Sequence, residues 1–463
     1  MSKFKLGRLR AWLKRCVMQM SVSRIMTFGC DSKIPGRNIA MGYLFYIVLG
    51  CVLLCLPWAN TDNSQASFID HLFTVTSAVS TTGLSTVDIP ATYTLFGMVV
   101  ILFLIQMGAI GYMTISSFLM LHLTRKMTDR NSRVMDTSIS TPWGMDLSAV
   151  IDNIIRFTFI IEAAGFVALW ITFGCFGVSS PAWNALFISI SSFCTAGFST
   201  FSDSLCEFND SFAVNVIVAL LSYAGAMGFI VITDLRHKLL DRRYKVTFTT
   251  RVIIAITCGM TVVGTAFLII FPSAEQSHDF STRCLEAFFQ TMSAMTTVGF
   301  NSFNLASLPA ISALVLSMIM FVGASPSGTG GGMKSTTVSA VYAFVVSMLR
   351  GKKYVSLRGN RLPYYRVNQA LTNIIVYGTV LIIGATALTI SDGFSFSEIL
   401  FEATSALGTV GISLGITSQL SVAGKIIIIA LMYIGRIGVI TLAAALMSHA
   451  LNDREDRATD IAI

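Results

Sequence analysis

Four short stretches of this chain share one chemistry: Thr81-Thr82-Gly83-Leu84, Thr195-Ala196-Gly197-Phe198, Thr297-Val298-Gly299-Phe300 and Thr409-Val410-Gly411-Ile412. Their glycines lie 114, 102 and 112 residues apart. Two positions before each glycine stands threonine, six before stands serine (Ser77, Ser191, Ser293, Ser405), and ten before stands phenylalanine (Phe73, Phe187, Phe289, Phe401). Thirteen before are Asp70, Asn184, Glu286 and Glu398, and two after are Ser85, Ser199, Asn301 and Ser413. Agreement at so many offsets is an internal repeat, and a repeat decides the architecture. Glycine lets the backbone turn and offer carbonyls inward. A ring of such carbonyls replaces the hydration shell of a monovalent cation.

A ring of this kind needs four helices aimed at it. The acid or amide thirteen residues upstream suits a helix start, where it accepts free N–H groups and, if charged, meets the positive end of the dipole. About thirteen residues of helix rise ~20 Å. That is roughly two-thirds of a hydrocarbon core, so each segment is predicted as a re-entrant half-helix. Its partly negative C-terminal end then points at the membrane centre and favours a cation.

Composition agrees. The chain has 463 residues, 54% hydrophobic and 12% charged, with mean hydropathy +0.72, whereas a soluble domain carries about 25% charged residues. Spans are expected at 38–58 and 93–121, 153–176 and 212–235, 251–272 and 309–349, and 368–390 and 423–449. The fold class expected is an all-α polytopic membrane protein, four span–pore helix–span repeats in pseudo-four-fold arrangement around one pore. The divisions are a basic N-terminal segment (1–37), repeat one (38–135), repeat two (136–245), repeat three with a broken second span (246–355) and repeat four with the C-terminal tail (356–463).

Charge orients this arrangement. Nine Lys and Arg fall within residues 1–37, with five, six and six in the linkers 122–156, 236–251 and 350–366, and Arg454 and Arg457 in the tail. The segments around the pore helices hold only Arg283 and Lys425. The positive-inside rule therefore places both termini in the cytoplasm and the pore helices on the outer side. The basic balance is topology plus attraction to anionic membrane lipid, and nucleic acid is not a partner. The outer segments carry twelve Asp and Glu residues, from Asp62 to Glu402. An acidic mouth concentrates cations, although any one of these reads equally as a helix cap or solvated loop residue. The basic segment 3–24 repeats Leu6, Leu9, Leu13, Val17 and Met20 at helical spacing. That fits a helix on the inner membrane face or one packed on the linkers.

Catalytic chemistry finds no support. Nine cysteines contain no C-x-x-C pair, which suggests neither metal nor disulfide chemistry. Cys194, three residues before Gly197, is marked for thiol access to the pore. The histidines His71, His122, His237, His278 and His449 are scattered, and no paired acid–base or metal-ligand set exists, so the chain is not read as an enzyme. No cofactor is expected in this chain.

The second spans carry glycine pairs: Gly108 and Gly111, Gly225 and Gly228, Gly435 and Gly438. Close helix packing explains them. Repeat three departs, with Gly323-Ala324-Ser325-Pro326-Ser327-Gly328-Thr329-Gly330-Gly331-Gly332-Met333-Lys334. A helix cannot continue through it, and irregular backbone at membrane depth is tolerated only where buried or lining water. It reads as a flexible loop that blocks the path below the filter, with gate residues Gly328, Gly330, Gly331, Gly332, Lys334 and Arg436. The run Gly-Gly-Gly-Met-Lys-Ser imitates a phosphate-binding loop, but no strand precedes it and Met333 stands before the lysine, so the context fails. Arg436 within an apolar span is a functional-site hypothesis by default. It either faces the pore or pairs with a buried acid such as Glu402. Lys334 either joins the gate or snorkels, and Glu162 in the third span reads as a satisfied structural acid.

Four span–pore–span repeats, Thr-x-Gly filters, the glycine-rich break in repeat three and the arginine of repeat four together resemble the Trk/Ktr/HKT superfamily of potassium transporters, over about residues 38–450. The absence of two extra N-terminal helices looks like its KtrB branch. The resemblance implies potassium uptake, often stimulated by sodium, across the inner (plasma) membrane of a bacterium. It also implies a homodimer with one pore per chain and a cytoplasmic ring of nucleotide-binding regulatory subunits. Gly83, Gly197, Gly299 and Gly411 match the family's filter glycines, residues 328–334 its intramembrane gate loop, and Arg436 the arginine facing that loop. Serine replaces the first glycine in sodium-transporting relatives, so four glycines point to K⁺. A non-conducting scaffold or sensor that retains the fold is the alternative from a different class.

Overall fold

Apolar runs punctuated by glycine divide this chain into helices, and the breaks matter as much as the runs. The computed structural model describes residues 35–62, 64–111, 147–277 and 279–447. In chain order its longer helices are α1 (Pro35–Leu54), α2 (Phe68–Val79), α3 (Leu95–Ile110), α4 (Leu147–Cys175), α5 (Pro181–Phe193), α6 (Phe212–Leu240) and α7 (Phe248–Ile270). They continue with α8 (Phe280–Thr296), α9 (Ala310–Phe321), α10 (Ser335–Leu349), α11 (Tyr364–Ser391), α12 (Phe396–Gly408), α13 (Val422–Ile437) and α14 (Val439–Met447). A two-strand hairpin, β1 (Ser356–Leu357) and β2 (Asn360–Arg361), interrupts the linker between α10 and α11.

Helices α1, α4, α6, α7 and α11 are long and apolar enough to cross a membrane. The other second spans fall short because they are broken. Helix α3 ends at Gly111 (φ 82°) and α13 at Gly438 (φ 89°), while α6 kinks at Gly228 (φ 76°). Only glycine adopts such angles without penalty. The second glycine of each pair is thus a helix breaker, a role the packing argument did not assign. The first glycine does pack: a Cβ on Gly108, Gly225 or Gly435 would strike the carbonyl of Val79, Phe193 or Leu407, at or near the C-terminal end of the pore helix of the same repeat.

The chain is an all-α polytopic membrane protein. Its first spans turn apolar side chains outward, among them Val52, Ile160, Val263 and Ile383. Lipid is the solvent such a face suits. The short helices α2, α5, α8 and α12 lie inside, and the four repeated phenylalanines are fully buried there.

Helix starts are less uniform than the repeat predicts. Asp70 and Glu398 sit at the third position of α2 and α12 and complete capping boxes with Ser67 and Ser395. Asn184 instead donates to the Ser179 carbonyl at 2.9 Å. Glu286 does not begin its helix at all. Helix α8 starts six residues earlier with Asp279 as its cap, and Glu286 accepts from Asn209 at 2.8 Å and from the Ser277 amide at 3.0 Å. The amphipathic segment 3–24, the linker segment 112–146 and the tail beyond 447 lie outside the described residues, as do His122, His278 and His449.

Candidate ion pathway

Each pore helix ends in the same turn. Thr81, Thr195, Thr297 and Thr409 take left-handed φ of 52°, 51°, 58° and 49°, and the glycines two residues later take 96°, 67°, 88° and 95°. A β-branched residue at positive φ is a true outlier and costs about 1–3 kcal/mol. Four equivalent outliers mark a geometry the fold imposes. Alternation of left-handed and ordinary residues turns successive carbonyls toward one side.

The repeated serines tie this turn to its helix. Backbone amides of Thr82, Ala196, Val298 and Val410 donate to the carbonyls of Ser77, Ser191, Ser293 and Ser405 at 2.8, 2.8, 3.1 and 2.8 Å. The hydroxyls then divide into two kinds. Ser77 and Ser405 accept from the Gly83 and Gly411 amides at 3.0 and 3.1 Å. Ser191 and Ser293 donate to the Phe198 and Phe300 carbonyls at 2.8 and 2.7 Å. The split follows the residue after glycine, aliphatic in repeats one and four and aromatic in two and three.

The glycines reveal how the four turns meet. A Cβ on Gly83 would lie within 3.0 Å of the Ala196 carbonyl oxygen, one on Gly197 of Val298, one on Gly299 of Val410, and one on Gly411 of Thr82. These contacts run from repeat one to two, three, four and back to one. They form a closed cycle in which only hydrogen fits between neighbouring strands, and the carbonyls of Thr82, Ala196, Val298 and Val410 converge on one ring. All sixteen predicted filter residues lie in these four turns, including the buried Leu84, Phe198, Phe300 and Ile412 that back them.

Below the ring runs the loop between α9 and α10. A Cβ on Gly330 would meet the Thr297 hydroxyl and one on Gly331 the Thr409 hydroxyl. The Thr329 hydroxyl lies 3.2 Å from that of Thr195 and donates to the Phe193 carbonyl at 3.0 Å. The fourth threonine, Thr81, accepts from Arg436 Nη1 at 2.9 Å. The loop and this arginine therefore close the underside of all four strands. Arg436 also donates to the Thr329, Gly108 and Ala109 carbonyls. It does not pair with Glu402, whose carboxylate accepts from Ser413 and Thr417. Lys334 caps the loop by donating to the Gly330 carbonyl at 2.8 Å, and Gly332 adopts φ 72°. Gly328 rests on the Ala226 carbonyl.

The kink in α6 holds the loop. A break at Gly228 frees the carbonyls before it, and the loop takes them: Ser325 N donates to Ala226 at 3.1 Å, Thr329 N to Gly225 at 3.0 Å, and Ser325 Oγ to Met227. The sequence reading took Gly228 for a packing glycine and left Thr329 out of the gate residues; the structure makes Gly228 the kink and Thr329 a contact of the filter. Beneath the loop opens a cavity of about 1280 Å³, lined by Asp234, His237, Arg366 and Asn373 among others.

Cys194 is corrected. Its thiol is wholly buried, 3.2 Å from Gln106 Oε1 and 3.6 Å from Glu162 Oε1. Gln106 Nε2 donates to both Glu162 oxygens at 3.0 and 3.1 Å, so Glu162 is a satisfied acid. At the N-terminal end of α2, Lys425 donates to Asp70 at 2.7 Å, joining repeat four to repeat one. Burial would raise the Asp70 carboxyl, but Lys425, Ser67 and Thr86 outweigh it and hold the group well below the usual carboxylate range.

Comparison with known proteins places this geometry. Residues 144–453 match the TrkH family model, described as a cation transport protein. The chain is 32% identical over 414 residues to Ktr system potassium uptake protein B of Bacillus subtilis, covering 88% of this chain and 92% of that protein. It is 33% identical over 414 residues to the protein of the same name from Vibrio alginolyticus (88% and 90% covered). It is 29% identical over 427 residues to the potassium/sodium uptake protein NtpJ of Enterococcus hirae (90% and 93%). The crystal structure of the potassium transporter TrkH from Vibrio parahaemolyticus shares the fold, with TM-score 0.72 at 21% identity over 90% of this chain and 86% of that one. Four inequivalent repeats around one carbonyl ring, matched over most of their length by these relatives, make the chain a member of the TrkH family of cation transport proteins.

Proposed function

We propose that this chain carries potassium inward across the plasma membrane through a single gated pore. The observation that carries the reading is the closed cycle of glycine-to-carbonyl contacts linking repeats one, two, three and four. Such a ring substitutes carbonyl oxygens for water around a dehydrated monovalent cation. At its inner end the Thr297 and Thr409 hydroxyls, buried without a protein partner, offer further oxygens to the passing ion. Potassium uptake is the named activity of the Ktr relatives and supports K⁺ as cargo. The NtpJ relative, named for potassium and sodium, supports Na⁺ as the second ion to test.

In this reading the filter is residues 81–84, 195–198, 297–300 and 409–412, and the loop 328–334 with Arg436 is the gate in its closed position. The four repeats are the functional divisions, at 38–135, 136–245, 246–355 and 356–463. Both termini face the cytoplasm, and the cavity under the loop is the inner vestibule. The relatives' designation as a system supports an assembly of several subunits. We assign this chain to a homodimer resting on a cytoplasmic nucleotide-binding ring.

The test is potassium flux through the purified full chain in liposomes under an imposed gradient, with sodium as competitor, beside a variant lacking residues 328–332. Selective flux that rises on deletion is expected. A folded deletion variant whose flux is unaltered or lower would sink the gate. Absence of K⁺ flux from both proteins would sink the pore.

A further inference from the structure

The threonine turns of the filter are built alike in all four repeats, but the strands that leave them on the outer side are not. Where each strand leaves the ring, a different partner holds it. In repeat one Thr86 donates to Asp70 at 2.8 Å, and in repeat two Ser199 donates to the Ser204 carbonyl at 2.9 Å. In repeats three and four the partner is the residue nine positions before the glycine. There Gln290 Nε2 lies 3.4 Å from Asn301 Oδ1, while Gln290 Oε1 accepts from the Ser302 amide at 3.4 Å. At the matching place Glu402 accepts from Ser413 Oγ at 2.8 Å and from Thr417 Oγ1. The Thr417 and Ser413 hydroxyl oxygens lie 2.9 Å apart, and Ser413 accepts from the Gly415 amide at 3.0 Å. Repeats one and two carry Thr74 and Ile188 at this position and hold their strand exits by the other contacts.

Glu402 is wholly buried, and neither described partner carries charge. An ionisable group enclosed at membrane depth is costly and is kept for a function. Among the described residues its side-chain hydrogen bonds go to the strand that follows Gly411.

We infer that Glu402 is a specificity-determining positioning residue, which through Ser413 and Thr417 sets the outer opening of the fourth filter strand, as Gln290 does for the third. This rests on the potassium-pore reading above. Repeat three performs the same task with an amide, so an oxygen acceptor at this place is sufficient. Removing Glu402 takes the carboxylate acceptor from the buried Thr417 hydroxyl and the half-buried Ser413 hydroxyl, a loss that corresponds to roughly tenfold in an equilibrium.

The experiment compares Glu402→Gln, Glu402→Ala and Ser413→Ala in the full chain. The readouts are K⁺ KM, maximal flux and the K⁺/Na⁺ flux ratio in liposomes, together with K⁺ binding by calorimetry in detergent. Glu402→Gln should stay within about threefold of the wild type in all four. Glu402→Ala should lose about tenfold in K⁺/Na⁺ ratio and K⁺ affinity while its maximal K⁺ flux is retained. If Glu402→Ala does not fold, Ser413→Ala carries the test and should lower the ratio severalfold. A folded Glu402→Ala or Ser413→Ala with wild-type discrimination overturns the inference, as does Glu402→Gln failing as badly as Glu402→Ala. Wild-type protein that neither binds nor conducts K⁺ overturns the pore reading itself, a different result from wild-type conduction with indifferent variants.

Discussion

Replacing Arg436 with alanine should open the pathway. In this structure the guanidinium makes four hydrogen bonds, but three of them, to Thr81, Gly108 and Ala109, go to repeat one. Only the bond to the Thr329 carbonyl ties the arginine to the loop. That bond exists only while the loop lies under the filter, so its loss falls on the closed state alone. A hydrogen bond to a charged group contributes about 1.5–3 kcal/mol. The closed-to-open ratio should therefore fall by about 10- to 150-fold. While the open fraction is small, K⁺ flux rises by the same factor and then saturates. Removing a positive charge beside a cation's path works in the same direction. Arg436→Lys separates the two effects, since it keeps the charge and loses the fork that reaches Thr81 and Thr329 together. Flux is measured in liposomes with a K⁺-sensitive dye after confirming a monodisperse sample. Folded Arg436→Ala protein with flux at or below the wild type would refute the brace.

The filter serines should prove unequal. Ser77→Ala and Ser405→Ala strand a glycine amide, whereas Ser191→Ala and Ser293→Ala strand a carbonyl, which tolerates it better. The first pair should lose more thermal stability in detergent, by about 1–3 kcal/mol, and equal losses across all four would contradict the split. Gly299→Ser places a Cβ against the Val410 carbonyl and must push two strands apart; the K⁺/Na⁺ flux ratio should fall, and an unchanged ratio would count against the ring. Lys425→Met removes the ion pair with Asp70 and should cost about 1.5–3 kcal/mol in unfolding free energy. The exchanged pair, Asp70→Lys with Lys425→Asp, should recover part of that loss, and no recovery would mean the pairing itself is not what stabilises the seam.

What the sequence shows and what it hides divide along a physical line. The threonine, serine, phenylalanine and glycine of each repeat were legible because each must satisfy the same local geometry four times. The turn is strained, the serine restrains it, and the glycine yields space to the next strand. The loop of repeat three was legible because five glycines and a proline cannot sit in a helix. Other features depend on what lies opposite in space. Glu286 carries the right residue type at the right offset, yet its helix begins at Asp279, and its carboxylate serves Asn209 and Ser277 instead. Cys194 sits three residues from a filter glycine, but its side chain points back toward Gln106 and Glu162. Offset along the chain fixed where these residues are, and only packing fixed what they touch.

Four repeats in one chain permit what four identical subunits cannot. The proposed gate of repeat three needs a partner unlike itself, and repeat two supplies the carbonyls that hold its loop. The kink at Gly228 frees carbonyls that bind Ser325 and Thr329, while repeat four sends Arg436 from the other side. In a strict tetramer a glycine-rich loop in one second span would be a loop in all, with no kinked helix like α6 left to receive it. The equality of the four threonine turns and the inequality of everything beneath them then have one explanation. In the proposed filter the ion would meet a symmetric ring, one carbonyl oxygen from each repeat. The proposed gate requires asymmetry, because a loop under the ring must be held by something that is not a loop.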